Sequence, residues 1–175
     1  MAHFRTWRLT LNWHEKNHRL DKMTTTPDEI LESISLKVSY PLAITLKPLA
    51  KIENPFYLSG QVAMREGALV ATGLVGDQVS LEVAQECGRQ CAINLLNAVK
   101  LELGTLKSVK QVARIAVYVA SADGFTDQHL VAHGASQLFI EVFGPEMGSH
   151  ARTAIGVKSL PLNSPVEVDA IFQIQ

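Results

Sequence analysis

The sequence has few cysteines, almost no excess charge and no long apolar run, and each shortage removes a class of protein. The two cysteines, Cys87 and Cys91, lie four residues apart in a helical pattern, a spacing that favours neither a disulfide nor, without further ligands, a zinc site. We expect both to be buried thiols in a reducing compartment. The formal net charge of -1, from 16 basic and 17 acidic residues, gives no bulk electrostatic reason to bind nucleic acid or an anionic membrane. No apolar run approaches the roughly 20 residues of a membrane helix.

Common catalytic signatures are also missing from the chain. It contains no G-x-S-x-G motif, no cysteine with an adjacent base and no glycine loop for phosphate. Of its 175 residues, 47% are hydrophobic and 19% are charged. That composition is typical of one globular domain with a substantial core.

The first 22 residues differ from the rest because neither a helical nor a strand period holds across them. The first strong signal is Thr26 before Pro27 and two acidic residues, which predicts a helix start. We therefore predict an N-terminal extension over residues 1–22 and a domain over residues 23–175. His14 and His18 have i, i+4 spacing, but we predict no metal site because no third ligand is evident.

Hydrophobic periodicity predicts an α/β domain with the order β-β-α-β-α-β-β, its helices packed on one face of a mixed sheet. Any strand in the segment that holds Pro41 and Pro48 is expected to be broken or at an edge. The predicted elements are a short helix over 27–35, a strand over 56–64 with a hairpin to 69–72, a long helix between Ser80 and Gly104, a strand over 109–120, a helix over 126–143, and two C-terminal strands.

The two C-terminal strands carry one arginine and one glutamate that we regard as candidate site residues. Arg152 shares a strand face with Ala154 and Gly156, which leave room for a ligand to reach its guanidinium. Glu167 lies between Val166 and Val168 and interrupts an apolar run. A single carboxylate in such a run suggests that it has a chemical role. The alternative is an ordinary cross-strand ion pair between Arg152 and Glu167, which would contribute little stability if exposed.

Two motifs in this chain resemble the RidA (YjgF) family, whose members are also described as endoribonuclease L-PSP or translation inhibitors. They are A-R-T-A-I-G-V-x-x-L-P over residues 151–161, followed by V-E-V-D-A-I over residues 166–171, and Y-L-S-G-Q over residues 57–61. The order of the intervening elements fits from about residue 41 to residue 174. The G-A-S sequence at residues 134–136 is similar to a divergent branch of that family.

The resemblance implies a chorismate-mutase-like fold and a homotrimer with ligand sites between subunits. It also implies a reaction, the hydrolysis of reactive 2-imino acids and their enamines to 2-keto acids and ammonia. By the same resemblance Arg152 would bind the substrate carboxylate and Glu167 would position water. Ser59 would line the site. Apart from the resemblance, a glycine in a strand, here Gly60, lets another backbone or a ligand come close. No cofactor is implied.

Three positions depart from the family pattern. The family tyrosine that closes the site falls on Leu46, and its cysteine two residues after the arginine falls on Ala154. The family asparagine of the second long helix falls on His133, which could hydrogen-bond a ligand or titrate near neutral pH. A helix-surface histidine is the alternative at that position. These departures preserve a carboxylate site but put imine hydrolysis in question.

Three functions therefore remain open from the sequence. The leading expectation is a cytoplasmic homotrimer that binds small 2-keto or 2-imino acids and hydrolyses the imines. The second is a ligand-binding or regulatory protein with the same site and no turnover. The third is cleavage of single-stranded RNA, which the lack of basic surplus disfavours. We expect no membrane partner.

Overall fold

A computed structural model describes residues 26–34, 49–51 and 55–175 of the chain. The predicted extension over residues 1–22, the predicted domain start at residue 23 and Leu46 all lie outside the described residues. So do Pro41 and Pro48.

A five-stranded mixed sheet forms the centre of the fold, in the order β1-β2-β7-β5-β6. Strand β5 pairs in parallel with β6 and antiparallel with β7, and β2 joins β7 and β1 by antiparallel pairing. Two short strands, β3 and β4, form a separate hairpin. The strands are β1 (Leu49–Lys51), β2 (Phe56–Val62), β3 (Met64–Arg65), β4 (Ala68–Leu69), β5 (Val109–Ala120), β6 (Ala151–Val157) and β7 (Val166–Ile174).

Four α-helices complete the described part of the fold. They are α1 (Pro27–Ile34), α2 (Leu81–Leu103), α3 (Gln128–Val131) and α4 (His133–Gly148). The predicted α/β class, with helices packed on a mixed sheet, is confirmed. The predicted order holds from α2 onward, with the second long helix divided into α3 and α4. Ahead of α2 the structure has α1 and four strands rather than two, and the hairpin predicted from 56–64 to 69–72 is formed by the short strands β3 and β4.

One face of the sheet is apolar and packs on the helices. Every second residue of β7, from Val166 to Ile174, is buried, while the residues between them are partly or largely exposed. This alternation is what a strand covered on one face requires. We call the covered side the helix face and the other side the open face. Phe172 is fully buried on the helix face and meets Phe139 of α4 edge to face.

Helix α2 begins and ends where the sequence predicts. The Ser80 hydroxyl accepts a hydrogen bond from the Val83 backbone N–H, at 3.3 Å, which satisfies a free donor of the first turn. Gly104 ends the helix with φ of 77°, and its N–H donates to the Lys100 carbonyl. Cys87 and Cys91 are free and fully buried on this helix, as predicted.

The second long helix differs from the prediction of a single helix over residues 126–143. It is divided after Val131 into α3 and α4, and Gly144 interrupts α4 with a φ of 78° that an α-helix does not use. Gly134 brings α4 close to α2, because a Cβ there would lie 1.9 Å from the Gln85 carbonyl oxygen. This close crossing sets the position of the first turn of α4, and therefore of His133 and Ser136.

Candidate functional site

Arg152 lies on edge strand β6 and points to the helix face. It is in register with Ile115, a fully buried residue of β5, and residues paired in a parallel sheet share a face. Its Nη1 donates a hydrogen bond to the Ser136 Oγ of α4 at 3.0 Å. Partial burial lowers the pKa of Arg152, although a guanidinium remains charged at neutral pH. The side chain is therefore a cation held at the mouth of a groove between β6 and α4.

Two histidines adjoin this cation. Burial lowers the pKa of His133, and the charges of Arg152 and His129 lower it further. Burial also lowers the pKa of His150, a Gly148 carbonyl contact opposes that effect, and Arg152 adds to it. Both imidazoles are consequently neutral at pH 7 and available as hydrogen-bond donors or acceptors. His133 thus lies near Arg152, where the resemblance placed it.

Small residues continue the groove along β6 beyond Arg152. Ala154 and Gly156 are in register with Val117 and Val119 and so share the face of Arg152. A Cβ on Gly156 would lie 2.9 Å from the Gln128 Nε2 atom. This side of the groove is therefore narrow and closed by a polar amide.

Glu167 lies on the open face of the same sheet. It pairs with Tyr118 of β5 on one side and with Val62 of β2 on the other. Burial raises the pKa of Glu167, and the negative charge of Asp169 raises it further. Such a carboxyl group holds its proton more readily than a solvated one, as a group that transfers protons does.

Gly60 provides the space that the Glu167 carboxylate occupies. A Cβ added to Gly60 would lie 1.9 Å from Glu167 Oε1. The pairing of β2 with β7 is irregular between Leu58 and Gln61, so Ser59 and Gly60 lie in a bulge, a device that re-aims side chains. The sequence predicted that another backbone or a ligand comes close at Gly60, whereas the group that comes close is the Glu167 side chain.

A tyrosine and an aspartate extend the open-face group. The Tyr118 hydroxyl donates to Asp169 Oδ2 at 2.8 Å, and Arg114 Nη1 lies 3.9 Å from Asp169 Oδ1. That hydrogen bond is the main reason the pKa of Tyr118 is raised. Glu167 therefore has an acidic neighbour whose own charge is partly balanced by Arg114.

The structure separates the two predicted catalytic residues. Strand β5 lies between their strands, with Arg152 opposite Ile115 and Glu167 opposite Tyr118. The strands of Arg152 and Glu167 are two strand spacings apart, and their partners on β5 are three residues apart. Their Cα atoms are therefore roughly 14 Å apart. Among the ion pairs of the described residues none joins them, so the cross-strand ion pair considered from the sequence is wrong.

The predicted site residues therefore fall into two groups. Arg152 and His133 form the helix-face group, and Glu167, Gly60 and Ser59 form the open-face group. Each group is open to solvent on its own side of the sheet, because Arg152 and Gly60 are exposed and the other three are partly exposed.

Sequence reasoning missed the roles of Ser136, His150 and Tyr118. Ser136 follows His133 by three residues on a helix, so both project from one side, and this spacing could have pointed to Ser136. The contact of His150 with Ser136 depends on where β6 begins relative to α4. That juxtaposition leaves no local signal in the sequence.

The described residues form neither a metal-binding cluster nor a membrane-spanning helix. Within residues 26–34, 49–51 and 55–175, no three His, Cys, Asp or Glu side chains are grouped to hold a metal ion. In the same ranges no helix combines the length and apolar character needed to cross a bilayer.

A mixed sheet with helices on one face, an arginine on its edge strand and a half-buried glutamate on its open face define the class as an α/β protein with a polar group on each side of its sheet. Residues 43–174 match the family model described as endoribonuclease L-PSP. The chain is 39% identical to Protein TCP17 of Trypanosoma cruzi over 118 residues, which are 67% of this chain and 74% of that protein. The chain belongs to the endoribonuclease L-PSP family, also called the YjgF/RidA family.

Solved structures agree with that assignment. Protein Atu1372 of Agrobacterium tumefaciens is 38% identical, with a TM-score of 0.79 over 86% of this chain and 94% of its own. TdcF of E. coli, solved with bound serine, is 19% identical, with a TM-score of 0.55 over 77% of this chain and 93% of its own. The likeness to TdcF concerns the fold alone.

Proposed function

We propose that this protein binds small 2-keto and 2-imino acids at a site shared between two subunits and hydrolyses the imines to 2-keto acids and ammonia. The observation that carries the proposal is the separation of Arg152 and Glu167 onto opposite faces of one sheet. One subunit presents a carboxylate-binding cation on its edge strand, and it presents a water-activating carboxylate on its open face. If the edge of one copy meets the open face of the next, the two groups complete one site.

Arg152 is the proposed carboxylate ligand. A guanidinium presents parallel N–H groups that match the two oxygens of a carboxylate. Ala154, which shares the face of Arg152, is a small side chain that leaves space beside it for the remainder of a short acid, and the Gln128 amide at Gly156 closes the groove beyond that point. The serine bound to TdcF also carries a carboxylate next to a nitrogen-bearing carbon, which is consistent with a ligand of this class.

Glu167 of the neighbouring subunit would act on water. A water oxygen attacks the imine carbon while Glu167 accepts one of its protons. The C=N π electrons move to nitrogen, and Glu167 returns its proton there to give a carbinolamine. Glu167 then takes the hydroxyl proton and passes it to the nitrogen, so that the C–N bond breaks and ammonia leaves as the C=O bond forms. The raised pKa of Glu167 favours both steps, because this carboxyl group accepts a proton more readily than a solvated one and can return it.

Mixed oligomers offer a direct test of the shared site. Arg152→Ala and Glu167→Gln are each expected to release almost no ammonia from freshly generated 2-aminoacrylate. When the two variants are co-expressed, random assortment in a cyclic oligomer should restore about one quarter of the sites, because each restored site takes its arginine and its glutamate from different subunits. No recovery in verified mixed oligomers would place both residues in one subunit's site, and a monomer by light scattering would exclude the shared site. We propose a trimer, as the family resemblance implies.

A non-catalytic binding protein is the second candidate. Ala154 and His133 stand where the family resemblance implies a cysteine and an asparagine, and these changes affect the carboxylate side of the site. Binding of 2-oxobutyrate without ammonia release from 2-aminoacrylate would establish this alternative. RNA cleavage is tested in parallel, with Arg152→Ala as the control, and we expect none because the chain has no basic surplus.

A further inference from the structure

Arg152 is the end of a hydrogen-bonded series that begins at a backbone carbonyl. His150 Nδ1 lies 2.6 Å from the Gly148 oxygen, and His150 Nε2 lies 3.0 Å from Ser136 Oγ. Arg152 Nη1 donates to the same Ser136 oxygen at 3.0 Å. The Phe139 ring meets the His150 ring edge to face, at 5.9 Å between centroids.

The chemistry of these atoms fixes the direction of each hydrogen bond. A carbonyl oxygen can only accept, so His150 Nδ1 carries a proton. The imidazole is neutral at pH 7 because burial lowers the pKa of His150, and a neutral ring has one N–H. Nε2 therefore accepts from the Ser136 hydroxyl. The Ser136 oxygen then uses a lone pair to accept from Arg152.

We propose that Ser136 and His150 are positioning residues that hold the Arg152 guanidinium in the orientation that binds a ligand carboxylate. The inference rests on the proposed function, since it concerns the carboxylate end of that site. The Nη1 atom is held against Ser136. The described residues place no hydrogen bond on the other edge of the guanidinium, formed by Nε and Nη2. That edge is therefore available for the two carboxylate oxygens. A preorganised guanidinium loses less freedom when the ligand binds, and affinity rises accordingly.

A double-mutant cycle separates positioning from a general packing effect. Ser136→Ala keeps the helix and the volume while it removes the hydroxyl, and we expect it to weaken 2-oxobutyrate binding about three- to tenfold. In an Arg152→Lys background the same change should cost little further, because an ammonium with three equivalent donors has no plane to orient. An equal loss in both backgrounds would show that Ser136 does not act through the arginine.

Two substitutions of His150 distinguish its hydrogen bond from its bulk. His150→Gln places an amide near the position of Nε2, where it can accept from Ser136, and should keep most of the wild-type affinity. His150→Leu fills similar space without an acceptor and should match Ser136→Ala. Equal affinities in the glutamine and leucine variants would contradict a role that runs through the hydrogen bond.

Nitrogen-15 NMR of the free protein tests the same series without a ligand. His150 should be the Nδ1–H tautomer, and its pKa should rise in Ser136→Ala, because that variant loses a donor to the neutral ring. An Nε2–H tautomer, or an unchanged pKa, would overturn the proposal. If the wild type does not bind 2-oxobutyrate, the proposed function fails at that step, and the NMR result by itself decides whether the series exists.

Discussion

Arg152 and Glu167 project from opposite faces of one sheet, with strand β5 between them. Arg152 is in register with the buried Ile115, and Glu167 is in register with Tyr118. Neither residue is the ion-pair partner of the other in the described part of the chain. Each is therefore free to change without leaving the other charge stranded, and the predictions for the two residues can be made independently.

Arg152→Ala should remove most keto-acid binding with little loss of thermal stability. One charge-assisted contact contributes ~1.5–3 kcal/mol, which corresponds to roughly ten- to hundredfold in affinity. Stability should change little because Arg152 is exposed and the buried Ser136 hydroxyl keeps its hydrogen bond to His150 when the guanidinium is removed. Arg152→Lys should recover part of the binding, since a lysine keeps the charge and loses the two-pronged contact.

Calorimetric titration with 2-oxobutyrate beside a thermal melt measures both effects of Arg152. Lys110→Ala, which removes an exposed cation at the far end of β5, is the charge-matched control. A fall in melting temperature much larger in Arg152→Ala than in the control would mean that Arg152 is mainly structural.

Glu167→Gln should slow hydrolysis and raise stability at neutral pH. Burial raises the pKa of Glu167 in the folded state, so the folded protein holds this proton more tightly than the unfolded chain does. Stability from this group is consequently present at low pH and declines as pH rises through the raised pKa. A neutral amide of the same shape avoids that decline and cannot act as a base.

Thermal melts of wild type and Glu167→Gln at a series of pH values from about 4 to 8 would show this difference. The advantage of the variant should shrink toward pH 4, where the wild-type carboxyl is also neutral. Glu102→Gln, at an exposed position of α2, is the control and should show no such trend. A variant less stable than wild type at pH 7 would mean that the charged carboxylate makes a stabilising contact.

Gly60→Ala should impair turnover more than it impairs stability. The new Cβ would meet Glu167 Oε1 at 1.9 Å, and the carboxylate can rotate away because it is the end of a flexible side chain. The fold should survive while the carboxylate leaves its position. Ammonia release should fall with a small change in melting temperature, and the stability cost should disappear in a Glu167→Ala background. Wild-type turnover in Gly60→Ala would contradict the role assigned to that carboxylate position.

Gly134→Ala should destabilise the protein more than Gly88→Ala, although both glycines lie in helices at the α2–α4 crossing. The Cβ at residue 134 would lie 1.9 Å from the backbone oxygen of Gln85, whereas the Cβ at residue 88 would lie 3.3 Å from the Val131 oxygen. A backbone clash requires the helices to separate, at about 1–3 kcal/mol for overpacking. Denaturant unfolding of the two variants measures the difference, and equal costs would contradict the crossing as described.

Deletion of residues 1–22 should leave folding and oligomeric state unchanged, whereas deletion of residues 1–34 should destabilise the domain. The longer deletion removes α1, whose Leu31 is 1% exposed. It also removes Asp28, which accepts hydrogen bonds from the Leu106 N–H and the Thr105 hydroxyl at 2.9 and 2.7 Å. Light scattering and thermal melts of both truncations would test this, and an insoluble or monomeric 23–175 protein would show that the extension is required.

Sequence signals predicted the structure correctly where a single short segment decides it, as at helix ends and along one strand. Ser80 and Gly104 marked the ends of α2 because a side-chain cap and a left-handed residue each act within one turn. The β7 alternation predicted which residues face the core. The division of the second long helix at Ala132 was not predicted, because Gly134 is a weak local signal and the apolar pattern runs across the break.

Sequence patterns were enough to predict most of the elements, the family resemblance and the two residue types, a guanidinium and a carboxylate, on which the proposed chemistry depends. They place Arg152 and Glu167 on strands, since strand periodicity is local. The strand order, with β5 between those strands, and the register, which points the two side chains to opposite faces, became known from the fold. The contacts of Ser136 with both Arg152 and His150 also became known from the fold. Strand order and helix docking arise from contacts between segments distant in sequence, and such contacts leave no periodic trace in any one of the segments.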